Sequence, residues 1–278
     1  MKVLFDNLSA SCSKTTTQLY STSFSLGIHF LNKKFHDPIY GIYGFVRLAD
    51  EIVDSFHDYD KAYLMEKIRA DTLDAIENKI SINPILNSFQ HVVHSYGIEW
   101  ELIDTFLKSM EMDLRQNQFT RESYNQYILG SAEVVGLMCL RVFTEGNDIA
   151  YNELKPFAMK LGSAFQKVNF LRDLKADYEF LGRTYFPGVN FDHFSGVEKE
   201  IIQKEIESDF DQALIGIKKL PAGSRRGVYL AYFYYKKLFL MIKKTPPEKV
   251  MKVRIRIADH DKISLMVQSL FRHQFDLL

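Results

Sequence analysis

Between Leu161 and Leu174 the chain is mostly apolar, yet it carries Gln166, Asn169 and Asp173, with Asp177 one turn further on. These four residues fall at i, i+3, i+7 and i+11, which places them in a line along one face of a helix. The neighbours Ala164, Phe165, Val168, Phe170 and Leu171 mark the same helix as mostly buried. A carboxylate inside a protein needs a counter-charge or a metal. The chain must therefore pack other helices around this one and supply its polar line with a partner.

The rest of the sequence also reads as helices. Asp37-Pro38, an N-cap followed by proline, opens one through about Phe56. Asp60 opens another, with Ala62, Leu64, Met65, Ile68, Leu73 and Ile76 at helical spacing. Asn83-Pro84 repeats the start signal and Gly97 closes that helix. Further helices are expected over about Glu99 to Gln116, Arg121 to Phe143, and Asn152 to Phe180, the last with Pro156 near its first turn. Late helices are expected over roughly 197–219, 224–244 and 261–275, with loops at 32–37, 181–196 and 245–260. Lys252 to Ile257 alternates with period two but stands alone. No repeat or long linker interrupts the pattern, so one all-α domain over 1–278 is the expectation.

Composition excludes more than it identifies. Lys+Arg and Asp+Glu both count 35, so no overall charge favours nucleic acid as a partner. Positive charge does gather at 236–262, where a solvated helix face and a surface for phosphate or anionic lipid are equally consistent readings. Two cysteines, Cys12 and Cys139, build neither a disulfide framework nor a cysteine zinc site and fit a reducing cytoplasm. Met1 to Ser13 lacks the apolar run of a signal peptide, and Val228 to Tyr235 is far too short to span a bilayer. The expectation is a cytoplasmic protein without a transmembrane segment, which a greasy substrate can bring to the inner surface of a membrane as a peripheral contact.

The partner for the polar line is Asp50-Glu51-Ile52-Val53-Asp54. Asp50 and Asp54 share a helix face, with Arg47 three residues before Asp50. Two acids four apart are common, and alone this cluster reads as a solvated acidic patch. Two matched acidic helices are a different matter, because carboxylates shared with phosphate oxygens and water are the surroundings Mg²⁺ prefers. Arg172, beside Asp173, is placed to pair with it or to grip a phosphate. His91 and His94 lack a third ligand, and no G-x-G-x-x-G run is present.

The run QKVNFLRDLKAD, Gln166 to Asp177, resembles the second aspartate-rich motif of squalene and phytoene synthases, and RLADEIVD, Arg47 to Asp54, resembles their first. Further likenesses follow in the family's order. They are the serine-rich segment Tyr20 to Phe24, Tyr43 one turn before Arg47, MEMDL at Met110 to Leu114, and Tyr127 with GSAEVVGLM at Gly130 to Met138. The turn Arg183-Thr184-Tyr185-Phe186-Pro187 completes them. The resemblance covers about residues 15–270. Glu133 departs from it, since the family usually has a small residue there, and this puts the tunnel's shape in question.

The resemblance implies an isoprenoid-synthase helical bundle around a central cavity. It implies a prenyltransferase that joins two isoprenoid diphosphates head to head through a cyclopropylcarbinyl diphosphate. Asp50, Asp54, Asn169, Asp173 and Asp177 would hold Mg²⁺, with Mn²⁺ as the alternative, and the four aspartates would be catalytic. Tyr20, Ser21, Ser23, Tyr43, Arg47, Tyr127, Gln166, Arg172 and Tyr235 would contact substrate. Likeness to bacterial carotenoid enzymes implies two C20 units, phytoene as product, an ending by proton loss and no need for NADPH. The alternatives are a C15 enzyme making squalene or dehydrosqualene, and a non-catalytic relative serving in binding or assembly. Intact acidic motifs argue against the last.

Overall fold

The computed structural model describes residues 2–116, 118–179, 182–189 and 194–257. Among these the named elements are all helical, with one isolated bridge between Gln118 and Thr184, so the all-α expectation holds. Two of the expected start signals, Asp60 and Asn83, cap their helices, and Ser195 supplies a third cap outside those signals. Asp60 accepts from Tyr63 N at the head of α4 (Lys61–Asn78). Asn83 accepts from Ile85 N and Leu86 N ahead of α5 (Pro84–Tyr96), which Gly97 ends at φ +63°. A reciprocal Ser195–Glu198 capping box opens α10 (Gly196–Lys219). Each such cap contributes about 1 kcal/mol. Asp37 is not a cap, because a 3₁₀ turn at Lys33–Phe35 runs straight into α3 (His36–Asp54). Asp37 instead lies in the first turn, where its charge complements the helix dipole.

Two helices precede the region the sequence patterns resolve: α1 (Lys2–Tyr20) and α2 (Thr22–His29). The buried face of α1 is Ser9, Ser13 and Thr17, packed on α3 and α5. Small hydroxyls allow a close approach: a Cβ on Gly44 would stand 2.9 Å from Ser13 Oγ. Ser9 and Thr17 donate to the carbonyls of Phe5 and Ser13, each one turn back.

The helices α6 (Trp100–Arg115), α7 (Arg121–Ile128) and α8 (Val134–Phe143) complete the first half. A π turn at Leu129–Glu133 joins α7 to α8 into one rod. Its Gly130 lies against α6, where a Cβ would be 2.5 Å from Ser109 Cβ. Arg121–Phe143 is the one helix among the described residues long and apolar enough to cross a membrane, and 56% of its most apolar window is buried within the bundle.

The second half is α9 (Asp148–Glu179), α10, α11 (Ala222–Lys244) and the short α12 (Pro247–Val250). α9 begins four residues earlier than expected, so Pro156 lies inside it and removes one helical N–H donor there. Lys252 and Val253 still turn back on Lys249, Arg254 to Ile257 form no strand, and Ile257 is buried. The expected helix at 261–275 falls outside the described residues.

Two buried clusters form, one chiefly from α3, α5, α6 and α8, the other from α7, α9, α10 and α11. Phe45 stacks on Phe89 at 4.1 Å in the first, and Phe170 on Tyr185 at 4.0 Å in the second. Residues of both line the cavity between them.

Candidate active site

The cavity has a volume of about 580 Å³. Its lining follows from helical periodicity. α3 contributes Ile39, Ile42, Tyr43, Val46, Arg47, Asp50 and Asp54, one stripe that changes from apolar to charged along its length. α9 contributes Leu154, Phe157, Ala158, Leu161, Phe165, Gln166, Asn169, Asp173 and Asp177, with the same change in the same order. The acids of both helices thus gather at one end, and apolar side chains fill the rest.

Arg47 holds the α3 acids. Its guanidinium pairs with Asp50 and Glu51 and lies over the Tyr20 ring, 4.2 Å from the centroid. Arg47 Nε is buried with no hydrogen-bond partner, which leaves a donor for an incoming anion. On α9, Arg172 grips Asp173 through Nε at 3.0 Å and Nη2 at 2.5 Å. Arg254, from the segment after α12, meets the same carboxylate at 2.6 Å. Burial, then the charge of Asp54, pushes the Asp50 carboxyl up. Burial, then the charge of Asp173, pushes Asp177 up to about 7. Both shifts report negative charge crowded in a low-dielectric mouth.

Beside the acids lies a hydrogen-bonded cluster that the sequence alone did not single out. Asp113 of α6 is 7% exposed and accepts from Tyr127 Oη at 2.6 Å and Tyr185 Oη at 3.3 Å. Arg183 donates to the Asp113 carbonyl at 2.9 Å and stands 3.5 Å from Asp54. The Arg183 N–H also reaches the Asp177 carbonyl at 2.8 Å. Arg183 therefore ties the turn after α9 to both α3 and α6. Burial, opposed by Arg183, pushes Asp113 up to about 6. Asp113, Arg183, Tyr185 and Arg254 all line the cavity. The first three lie within the MEMDL and Arg-x-Tyr-x-Pro segments, which were the available signal.

The structure brings Tyr43, Arg47, Tyr127, Gln166, Arg172 and Tyr235 to the cavity wall together with all five expected metal ligands. It does not bring Tyr20, Ser21 or Ser23 there. Ser21 caps α2, accepting from Phe24 N at 3.2 Å, and its hydroxyl lies near the Tyr43 phenol. Tyr20 is 51% exposed and supports Arg47, while Ser23 is half-buried off the wall. Glu133 does not line the cavity either. The π turn directs it toward the α9–α10 ion network, where Lys160, Lys167 and Asp209 are its charged neighbours, and burial raises its pKa. The tunnel's shape is therefore free of that carboxylate. His91 and His94 part company, one on Asp6 at 3.1 Å and one on the Ile76 carbonyl at 2.8 Å.

The donor set at the mouth, four carboxylates and one amide, consists of hard oxygens that suit Mg²⁺. Among the described residues no three acidic, histidine or cysteine side chains form a ready cage. An ion here would draw its remaining ligands from phosphate oxygens and water, as Mg²⁺ commonly does.

Structural comparison places the same fold in a dehydrosqualene synthase, with a TM-score of 0.83 and 20% identity over 97% of this chain and 98% of the other. A squalene synthase from Alicyclobacillus acidocaldarius matches with a TM-score of 0.76 and 18% identity, over 85% of this chain and 93% of the other. By sequence the chain is 27% identical to a 4,4'-diapophytoene synthase of Staphylococcus haemolyticus, over 68% of this chain and 66% of that protein. It is 31% identical to a presqualene diphosphate synthase of Sinorhizobium fredii, over 62% and 60% respectively. It is 24% identical to a 15-cis-phytoene synthase of Synechococcus elongatus, over 82% and 81%. The chain thus spans between 57% and 66% of the first four curated relatives it matches. The family profile described as Squalene/phytoene synthase matches residues 17–260. With both acidic stripes meeting at one cavity mouth, this chain belongs to the squalene/phytoene synthase family.

Proposed function

We propose that this protein condenses two C20 prenyl diphosphates head to head to phytoene, with Mg²⁺ and without NADPH. The observation that carries the reading is the division of one cavity into an ionic mouth and an apolar barrel. The mouth receives diphosphate, and the barrel receives the hydrocarbon.

Mg²⁺ bound by Asp50, Asp54, Asn169, Asp173 and Asp177 would neutralise the diphosphate and stabilise it as a leaving group. Arg47 and Arg172 add charge-assisted hydrogen bonds to the same group. In the first half-step the allylic C–O bond of one substrate breaks and its electron pair leaves with pyrophosphate. The double bond of the second substrate attacks C1, and a proton is lost as the cyclopropane closes. In the second half-step the remaining C–O bond breaks, the ring opens, and a second proton is lost. Two pyrophosphates and two protons are released in all.

Directly below the acids, aromatic rings surround the space for these cations. Phe165 stacks on Tyr235 at 4.0 Å, and Phe24 lies 5.7 Å from Tyr43 and 6.2 Å from Tyr235. Their faces stabilise positive charge, and the apolar walls keep out water that would trap it. Tyr235 donates to Asn169 at 3.3 Å, and burial raises its pKa, so it suits a fixed dipole better than a base. The departing pyrophosphate is the better proton acceptor.

The C20 choice draws support from the length of the barrel. On α9 the lining below the acids runs from Asn169 to Leu154, about 22 Å at helical rise. That accommodates an extended chain of C20 size. A C15 reading stands second, because a dehydrosqualene synthase and a 4,4'-diapophytoene synthase are among the relatives.

The test is incubation with Mg²⁺ and C15 or C20 diphosphate, with and without NADPH, followed by identification of the hydrocarbon. Phytoene should form from C20 substrate at the same rate in both conditions. An inert C20 substrate, with squalene from C15 only when NADPH is added, would overturn both the chain length and the proton-loss ending.

A further inference from the structure

Phe157 lines the cavity towards the end opposite the acids, with Leu154 one turn beyond it on α9. Phe157 lies about 24 Å along α9 from Asp173. Its side chain sits in a notch that exists because residue 216 is glycine. A Cβ there would stand 2.2 Å from Phe157 Cβ and 2.9 Å from Cγ. On the outer side the Lys219 ammonium lies 5.8 Å from the ring centroid and is itself paired with Glu153 at 2.9 Å. The ring thus separates the barrel from a surface ion pair. Pro156, immediately before it, already interrupts the helical hydrogen bonding of α9 at this turn.

We propose that Phe157, seated in the Gly216 notch, is the stop that sets the longest prenyl chain this cavity accepts. This rests on the reading that the barrel holds prenyl chains. A chain anchored by its diphosphate at the mouth extends along the α9 stripe until its last methyl groups meet this ring. One more isoprene unit would have to displace the ring against Lys219 and Glu153. The other residues around this end, such as Leu154 and Leu220, are aliphatic side chains fixed in the core. Phe157 is only half-buried, and its ring faces the Lys219 ammonium of the surface pair.

The experiment compares kcat/KM for C15, C20 and C25 diphosphates in the wild type, Phe157→Ala, Phe157→Leu and Phe157→Trp. The C25/C20 ratio should rise by about tenfold or more in Phe157→Ala and by less in Phe157→Leu. Phe157→Trp should lower C20 relative to C15 by a similar factor. A change that only destabilises the fold would lower all three substrates together and leave the ratios alone. Unchanged ratios across the series would overturn the proposal. The failure of the proposed reaction is read separately, from thermal stabilisation by C15, C20 and C25 thiolodiphosphates, which bind without ionising. If those analogues bind but no hydrocarbon forms, the reaction is wrong, and the length preference of binding still decides the role of Phe157. If none stabilises the wild type, both readings fall.

Discussion

The two acidic helices carry the same polar spacing but are braced differently. On α3, Arg47 comes from the same helix, binds Asp50 and Glu51, and rests on Tyr20. On α9, Asp173 is held partly by its neighbour Arg172 and partly by Arg254, which arrives from eighty-one positions further along the chain. The α3 half of the mouth is therefore set by local geometry and a neighbouring helix end. The α9 half depends on where the C-terminal segment lies. A helix can present carboxylates on its own, but keeping two such sets at one cavity mouth takes cations from other parts of the chain.

The largest expected effect treats the halves as equal. Asp50→Asn and Asp173→Asn should each lower turnover by about 10²-fold or more with the fold retained by circular dichroism. Near-normal turnover in either one would break the symmetry and remove that helix from the metal site.

Arginine replacement should separate the halves. Arg47→Lys keeps the charge but loses the fork that spans Asp50 and Glu51. It should cost roughly tenfold to a hundredfold in kcat/KM. Arg254 is 47% exposed and shares its acid with Arg172, so Arg254→Ala should cost only about threefold. Equal losses in the two variants would show that the C-terminal segment matters as much as α3.

A smaller effect concerns stability without metal. Asp177 is raised to about 7 by burial and by Asp173, above an unfolded carboxylate value of about 4. The folded state then holds a proton that the unfolded state has lost. Its contribution is fully present below about pH 4 and disappears as pH rises toward 7. Asp177→Asn removes this slope, so at about pH 8 the metal-free variant should be more stable than wild type, by on the order of 2 kcal/mol. Melting curves from about pH 5 to 8 that run parallel for the two proteins would contradict the shift.

The acidic stripes were legible because helical spacing maps directly onto one face, and apolar neighbours marked the helices as buried. The start of α1 was not legible. Its buried face is Ser9, Ser13 and Thr17, and close helix contact through hydroxyls leaves no apolar periodicity to read. Asp113 escaped notice because a single aspartate on an amphipathic helix looks like its exposed side. Only the tertiary arrangement, with Tyr127, Tyr185 and Arg183 converging on it, shows that it points inward. The direction of Glu133 stayed open for the converse reason, since the π turn it ends breaks the helical spacing from which a side chain's face is read. Pro156 looked like a first-turn proline because proline is favoured there, whereas α9 already begins about two turns earlier at Asp148.

On the proposed reaction, the two acidic helices become one site only when diphosphate and Mg²⁺ arrive together. Calorimetric titration of Mg²⁺ into the protein, with and without a C20 thiolodiphosphate, tests it most directly. The expected result is no saturable Mg²⁺ binding to the free protein at micromolar concentrations, tight binding in the presence of the analogue, and loss of analogue binding when EDTA is added. Tight Mg²⁺ binding without the analogue, or analogue binding indifferent to EDTA, would contradict it.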